Sequence, residues 1–351
     1  LNTGQSAEQA YFEVKWESPA KMNTEPPSPP STSNHLRQLD ARRDLAAVAD
    51  LVELCFNETL DPEGRNYLKQ MRQAAQHAAL MGWANSLYPE NSMPPAGLVW
   101  EEKNAETGGQ HLVGNLSLIP IHPQGQRAYL IANVAVHPDY RGRGIGRALT
   151  LAGLEQARKR GATTAWLQVR HDNPSAIHIY ESAGFQERAR RSSWQTTRES
   201  PPNGALDGLS IIHRQSYHWA QQKAWLGALY PAELAWHLPL DWKAMPPDLS
   251  GTLYRFISWY YPRHWAALHH HQLAGLLTYT HTNGYADSLW LAVPPEVDAM
   301  VLVGLLSAAR RAAPRNRPLT LNLPAGMAVQ ALQQAGFSTH QTLIWMKCRL
   351  T

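Results

Sequence analysis

Apolar residues recur along the chain with two periods, and these predict a protein of alternating strands and helices. After a strand pattern at residues 36–39, Asp44 is placed to cap a helix with its apolar positions on one face. Strand-like runs at 97–100 and 112–118 flank a polar stretch, which indicates a hairpin. The next predicted elements are a strand at 128–136, a helix from about residue 144, a strand at 165–169 and a short helix at 176–182.

The same order of elements occurs a second time in weaker form. Ala335-Gly336-Phe337 repeats Ala183-Gly184-Phe185 at the end of the series. A match of one element has little weight, but agreement of the whole series predicts a duplicated domain. The later predicted elements are strands at 209–212, 265–268, 273–278, 289–293 and 319–323, with helices at 217–229 and 302–309.

Breaks in composition divide the chain into three parts. Residues 1–35 are rich in proline and serine and predict a disordered tail. A second stretch rich in turn-forming residues, 198–207, predicts a linker. We therefore expect a first folded domain at 36–200 and a second at 207–351.

Overall composition narrows the class of protein. The 351 residues are 44% hydrophobic, enough for packed cores, and the net charge of +4 is too scattered to indicate nucleic-acid binding. No apolar run reaches the roughly 18 residues of a membrane helix, and no signal peptide is recognised. Cys55 and Cys348 stand far apart, which predicts neither disulfides nor a metal cluster. These features favour a cytoplasmic protein with no nucleic-acid or membrane partner. They do not indicate an oligomeric state.

The segment 137–147 joins the fourth predicted strand to the long helix, and it is rich in glycine and arginine. Glycines allow backbone turns that other residues avoid, so successive N–H groups can line one concavity at a helix N-terminus. Such a cradle suits a pyrophosphate, and arginine side chains add full positive charges. The predicted cradle residues are Arg141, Gly142, Arg143, Gly144, Ile145, Gly146 and Arg147.

Two other phosphate-binding motifs do not fit this segment. The chain has no Gly-Lys-Ser/Thr sequence here, which excludes a P-loop. Its glycine spacing is not Gly-x-Gly-x-x-Gly after an N-terminal strand, which disfavours a dinucleotide-binding fold.

The spacing Arg141-x-x-Gly144-x-Gly146 resembles the (Gln/Arg)-x-x-Gly-x-(Gly/Ala) motif of the Gcn5-related N-acetyltransferase (GNAT) superfamily. The resemblance covers about 36–197 and is densest at 134–185. It implies an α/β (α+β) fold of two tandem GNAT domains, each with a mixed, mostly antiparallel sheet flanked by helices. It also implies an acetyl-CoA-dependent transferase, without a metal, that acts on a primary amine of a small molecule or peptide. Further matching residues are Asn173, Ala176, Tyr180, Gly184 and Phe185.

The resemblance assigns roles to individual residues. Main-chain groups of Val134, Ala135 and Val136 would hold the pantetheine arm, and the 141–147 cradle would wrap the pyrophosphate. Asn173 would contact the pantetheine region. Tyr180 would act as the general acid at the leaving sulfur, since its ordinary pKa near 10 keeps the hydroxyl protonated at neutral pH. The general base stays open among Glu101, His137 and Asp139, none of which is compelling.

The second repeat lacks these features. Residues 294–298 have no glycine or arginine where the cradle stands in the first repeat, and Leu332 occupies the position of Tyr180. We therefore expect CoA to bind only in the first half. The second half is expected to pack against the first, with a contribution to the substrate cleft as an equal alternative. The alternative for the whole chain is a non-catalytic acyl-CoA sensor or scaffold.

Two clusters in the second half admit a simpler interpretation than ligand binding. His269-His270-His271 falls between two strand patterns, so we expect a hairpin turn and no metal site. Six tryptophans are expected to pack in the core and between domains, in preference to forming a stacking cleft. They are Trp219, Trp225, Trp236, Trp242, Trp259 and Trp265.

Overall fold

The computed structural model describes residues 35–60, 62–80, 96–103, 108–196, 207–238, 240–314 and 317–350. The tail predicted at 1–35 and the linker predicted at 198–207 lie outside these ranges, apart from His35 and Asp207. No helix in the described part of the chain is long and apolar enough to span a bilayer.

The first half contains the predicted strands and helices in the predicted order, together with a helix at 62–80 and a strand at 186–196 that the sequence did not predict. The long helix follows a left-handed glycine, Gly144, and the short helix after it is capped by Asn173. The elements are β1 (Leu36–Gln38), α1 (Ala41–Phe56), α2 (Pro62–Leu80), β2 (Ala96–Lys103), β3 (Gln110–Ile121), β4 (Ala128–Val136), α3 (Ile145–Lys159), β5 (Thr164–Arg170), α4 (Pro174–Ser182) and β6 (Gln186–Thr196).

The second half repeats this series, as the sequence predicts. His270 and His271 form the tight turn between β8 and β9, both with left-handed backbone, so the predicted hairpin is confirmed. The elements are β7 (Leu209–His213), α5 (Trp219–Leu229), α6 (Leu249–Ser258), β8 (Arg263–His269), β9 (Gln272–Thr280), β10 (Asp287–Ala292), α7 (Ala299–Ala312), β11 (Leu319–Pro324), α8 (Val329–Gln334) and β12 (Phe337–Arg349).

The twelve strands of the described residues form one continuous sheet, in which the halves exchange their last strands. The order is β1-β2-β3-β4-β5-β12-β6-β11-β10-β9-β8-β7. Strand β12, from the end of the chain, lies between β5 and β6, while β6 pairs with β11 of the second half. Most neighbours are antiparallel, and the parallel pairs are β4 with β5 and β10 with β11. Each half is therefore completed by a strand that the other half supplies.

Helices cover both faces of the sheet. In the first half, α3 packs on one face over a core that includes Leu149, Leu167 and Ile344. Helices α1 and α2 pack on the other face, around Val48, Leu68 and Val99. In the second half α7 contacts β8 and β9, and α5 contacts β10. The open ends of β4 and β5 thus lie between two helical layers.

Two details of the prediction need correction. Helix α1 is capped by Asp40, whose side chain accepts from the Arg42 N–H at 3.0 Å; Asp44 is instead buried in the first turn and paired with Arg37 at 2.6 Å. A capping residue precedes the helix, and Asp40 has the extended backbone that this position requires. Trp259 is 81% exposed and so does not pack in the core, whereas the other five tryptophans are at least partly buried there.

Candidate active site

Strand β4 contains a bulge just before its C-terminal end. Asn115 of β3 pairs with Ala135 and Ser117 pairs with Ala132, so two residues of β4 lie opposite one residue of β3. Asn133 takes a left-handed backbone with φ of 51°, and its carbonyl accepts from the buried Asn115 side chain at 2.9 Å. The sequence predicts a regular strand here, and the bulge corrects that prediction. The extra residue shifts the alternation, so that Val134 and Val136 turn toward the α3 core.

Beyond the bulge β4 and β5 separate. Their parallel pairing runs from Ala128 opposite Thr164 to Ile131 opposite Leu167, yet β4 continues to Val136. The His137 N–H donates to Val113 of β3, so the main-chain N–H of Val136 faces the opposite edge, toward β5. The Val136 carbonyl already accepts from Cys55 at 3.3 Å and from Arg141 at 3.2 Å. A cleft lined by main-chain groups therefore opens between the two strands.

The cradle follows at the wide end of this cleft. Gly142 and Gly144 have φ of 76° and 77°, a region that L-residues with side chains adopt at a cost. A Cβ atom on either glycine would meet no protein atom within 4 Å, so their surface faces open space. Gly144 is also the N-cap of α3 and has no side chain to satisfy the free N–H groups there. The first turn of α3 is thus available to an anion.

Three arginines surround that turn. Arg143 lies over the ring of Tyr140 at 4.7 Å and donates to the carbonyl of Asp139 at 3.1 Å. Within the described chain, none of Arg141, Arg143 and Arg147 forms a salt bridge with a carboxylate. Positive side chains and the positive end of a helix dipole therefore converge without an internal counter-ion.

Tyr180 lies on α4, on the same side of the sheet as α3. Its ring is 8% exposed and packs edge-on against Phe185 with centroids 6.1 Å apart. Burial raises the pKa of Tyr180 to about 12. The hydroxyl makes no hydrogen bond to the described residues and stays protonated throughout the physiological range, as a proton donor must.

Asn173 is a helix cap in this structure. Its side-chain oxygen accepts from the Ala176 N–H at 3.1 Å, which starts α4 and so helps to position Tyr180. The amide nitrogen of this exposed residue is not used in the cap. Asn173 therefore combines a structural bond with an amide donor that forms no hydrogen bond to the described residues, in the loop that follows β5.

The candidate bases have structural partners. Glu101 is buried between Arg37 and Arg43, and the hydrogen bond from Arg37 holds its pKa below the ordinary value. His137 accepts from the Asp139 N–H through Nδ1, and the Asp139 side chain is 81% exposed. Glu101 is thus held as a structural anion, and the other two stabilise the loop that leaves β4.

A cavity of about 570 Å³ lies over the central strands, on the face opposite Tyr180. Both halves line it. The first half contributes Gln168 of β5 and Pro62 of α2, and the second half contributes Ser288 of β10. Sequence reasoning missed this site, because its walls meet only through the exchange of β6 and β12. The one local signal was the polar alternation of β5, in which Gln168 stands between buried Leu167 and Val169.

The matching position of the second half is built differently. Helix α7 begins at Asp298, whose carboxylate accepts from the Met300 N–H at 2.8 Å. A negative side chain thus occupies the helix N-terminus that in the first half is open. Leu332, at the position of Tyr180, is completely buried and brings no polar group.

Part of the chain is similar to known proteins. Residues 57–185 match the acetyltransferase (GNAT) family. The chain is 40% identical over 79 residues to the [Ribosomal protein bS18]-alanine N-acetyltransferase of Escherichia coli K12, covering 22% of this chain and 53% of that protein. It is 42% identical over 85 residues to the mycothiol acetyltransferase of Rhodococcus jostii, covering 23% and 28%. The chain thus spans about half the length, or less, of these relatives.

A solved structure shares the fold over almost the whole chain. The GCN5-related N-acetyltransferase from Sphaerobacter thermophilus aligns with a TM-score of 0.52 and 14% identity, covering 90% of this chain and 95% of that one. At this identity the likeness concerns the fold alone. It extends through both halves, including the part that the family match does not cover.

Proposed function

The chain carries a domain of the acetyltransferase (GNAT) family at residues 57–185, and from that premise we propose that it is an acetyl-CoA-dependent N-acetyltransferase with a single cofactor site. The observation that carries this proposal is the open cradle at Gly142–Gly144, where a helix N-terminus faces free space beside three exposed arginines that form no salt bridge within the described residues. These residues fit the pyrophosphate of CoA in charge and in backbone geometry.

The remaining residues receive their roles from this placement. The cleft between β4 and β5 would hold the pantetheine arm, through main-chain groups of the 134–136 segment, and Asn173 would add its free amide donor at the edge. Acetyl-CoA supplies the acyl group as a thioester. The amine nitrogen forms a bond to the acyl carbon as the carbon–sulfur bond breaks, and the Tyr180 hydroxyl donates a proton to the leaving sulfur. The nitrogen releases one proton to water as the amide forms, and Tyr180 regains a proton from water.

We assign the cofactor to the first half alone. In the second half a CoA phosphate would meet the Asp298 carboxylate at the start of α7, and like charges repel there. Leu332 offers no proton at the position of Tyr180. The second half then contributes structure and the wall of the cavity described above.

The proposal is tested by thiol release from acetyl-CoA with a panel of primary amines. We expect release that depends on the amine, together with a new amide product detected by mass spectrometry. Calorimetric binding of acetyl-CoA without turnover of any amine, across peptide, sugar and polyamine acceptors, would instead identify a non-catalytic acyl-CoA sensor. Absence of both binding and turnover would contradict the proposal as a whole.

Replacement of Tyr180 by phenylalanine is expected to lower kcat by about 100-fold, since general acid catalysis contributes on the order of 10²–10⁴. The dissociation constant of acetyl-CoA is expected to change less than twofold, because the ring and its contact with Phe185 are kept. Steady-state kinetics and calorimetry measure the two quantities. Tyr129→Phe is the matched control, a buried tyrosine on β4, and should leave kcat unchanged. Full turnover in Tyr180→Phe would remove the proposed acid.

A further inference from the structure

The cavity over the central strands begins where the cofactor cleft opens. Pairing of β4 with β5 ends at Leu167, and the next residue of β5, Gln168, lines the cavity. Successive strand residues point to opposite faces, so Leu167 packs in the same core as Tyr180 while Gln168 faces the other side. An acyl group held between the strands would thus have Tyr180 on one face and the cavity on the other.

The described residues that line the cavity include no Asp, Glu, Lys or Arg. Amide and hydroxyl side chains dominate, and burial lowers the pKa of the lining His237, which keeps it neutral at pH 7. A multiply charged ligand would lose water here without a counter-ion, at a cost of several kcal/mol per charge.

Two polar side chains of the lining differ in their hydrogen bonding. The Nε2 atom of Gln168 is buried and has no hydrogen-bond partner within the described protein, which is a costly state for an amide donor. The guanidinium of the buried Arg191 donates to the side-chain and main-chain oxygens of Asn322. The side-chain nitrogen of Asn322 in turn donates to the Ser193 hydroxyl at 3.2 Å. The Gln168 amide thus has a donor that no described residue uses, while Asn322 is held in place by its hydrogen bonds.

From this lining and its position we infer that the cavity is the acceptor site and takes a small primary amine rich in hydroxyl groups, of the amino-sugar class. The inference rests on the proposed transferase function and names its substrate. Hydroxyls both donate and accept, which matches side-chain amides and hydroxyls that do the same. The volume of about 570 Å³ lies within the range of roughly 300–1,000 Å³ for small-molecule sites. Since no carboxylate in the described lining stabilises an ammonium group, the amine enters most readily in its neutral, nucleophilic form.

The test compares D-glucosamine, spermidine and trialanine as acceptors for the intact chain. We expect glucosamine to give the highest kcat/KM. Gln168→Leu removes the unused donor and Ser288→Leu fills the cavity from the second half, and each should raise KM for glucosamine at least tenfold. Acetyl-CoA affinity should stay within twofold in both, which also verifies that the variants are folded. The matched controls Gln272→Leu and Ser210→Leu change exposed positions and should have no effect.

Several results would overturn the inference. Unchanged KM for glucosamine in both cavity variants would place the acceptor elsewhere, and preference for trialanine or spermidine would show a peptide or polycation acceptor. Saturation-transfer NMR of glucosamine with the chain and CoA gives a readout that is independent of turnover. Binding that Ser288→Leu abolishes supports the site even if no amine is acetylated, a result that would count against the transferase function alone. Absence of binding to the wild-type chain would refute the site.

Discussion

Replacement of Gly144 by valine is expected to weaken acetyl-CoA binding by about 100-fold, equivalent to about 2.7 kcal/mol. Gly144 has φ of 77°, where a β-branched residue is strongly disfavoured, so the turn before α3 would rearrange. A side chain there would also extend into the open space that we assign to the pyrophosphate. The exposed N–H groups of the first turn would lose their common direction.

Gly125→Val is the matched control for this variant. Gly125 also has φ of 77°, and a Cβ there also meets nothing within 4 Å, but it lies in the turn between β3 and β4. Both variants should lose similar stability in thermal unfolding, and only Gly144→Val should lose acetyl-CoA affinity by calorimetry. Equal affinity in the two variants would show that the cradle does not bind the cofactor.

Residues 35–200 produced without the rest of the chain are expected not to form a stable domain. Strand β5 would lose the seven residue pairs, Leu343–Arg349 with Arg170–Thr164, that join it to β12. The core of the first half would lose Ile344 and Met346, each worth roughly 1.5–3 kcal/mol, and the remaining β5 edge would be exposed. The sum, about 3–6 kcal/mol, reaches the lower end of the stability of a typical domain, about 5–15 kcal/mol.

The control is co-expression of residues 35–200 with residues 207–351, in which the exchanged strands can pair again. We expect the pair to purify as one complex and to unfold cooperatively, while the first segment alone shows no cooperative transition in circular dichroism. A folded, monomeric 35–200 segment that unfolds cooperatively would mean that β12 is dispensable for the first half.

Local features of this protein were predictable from sequence. The cradle depends on glycines and arginines that are adjacent in the chain, and the amphipathic stripe of α3 fixes the helix that presents it. The hairpin at His270-His271 and most of the element order likewise follow from short-range patterns, although α2, α6 and β6 were not predicted. Their recognition needs no knowledge of distant contacts.

Long-range features were not predictable in the same way. The insertion of β12 between β5 and β6 depends on which of several similar edges a strand joins, and neither periodicity nor turn residues encode that choice. The bulge at Asn133 requires the buried amide of Asn115, 18 positions earlier in the chain. In the sequence, Gln168 is one polar residue of an alternating strand pattern. Its place in a cavity wall depends on the exchanged strands, which the pattern does not indicate. Asp44 was misplaced as a cap because its partner Arg37 precedes the helix on another element.

The central claim is that the fold occurs twice and the cofactor site once. Calorimetric titration of the intact chain with acetyl-CoA tests it most directly, with Gly144→Val titrated in parallel. The account predicts one molecule bound per chain and loss of that binding in the variant, because the N-terminus of α3 has no side-chain cap while Asp298 caps its counterpart α7. Two molecules bound per chain, or one that binds equally well to Gly144→Val, would contradict it.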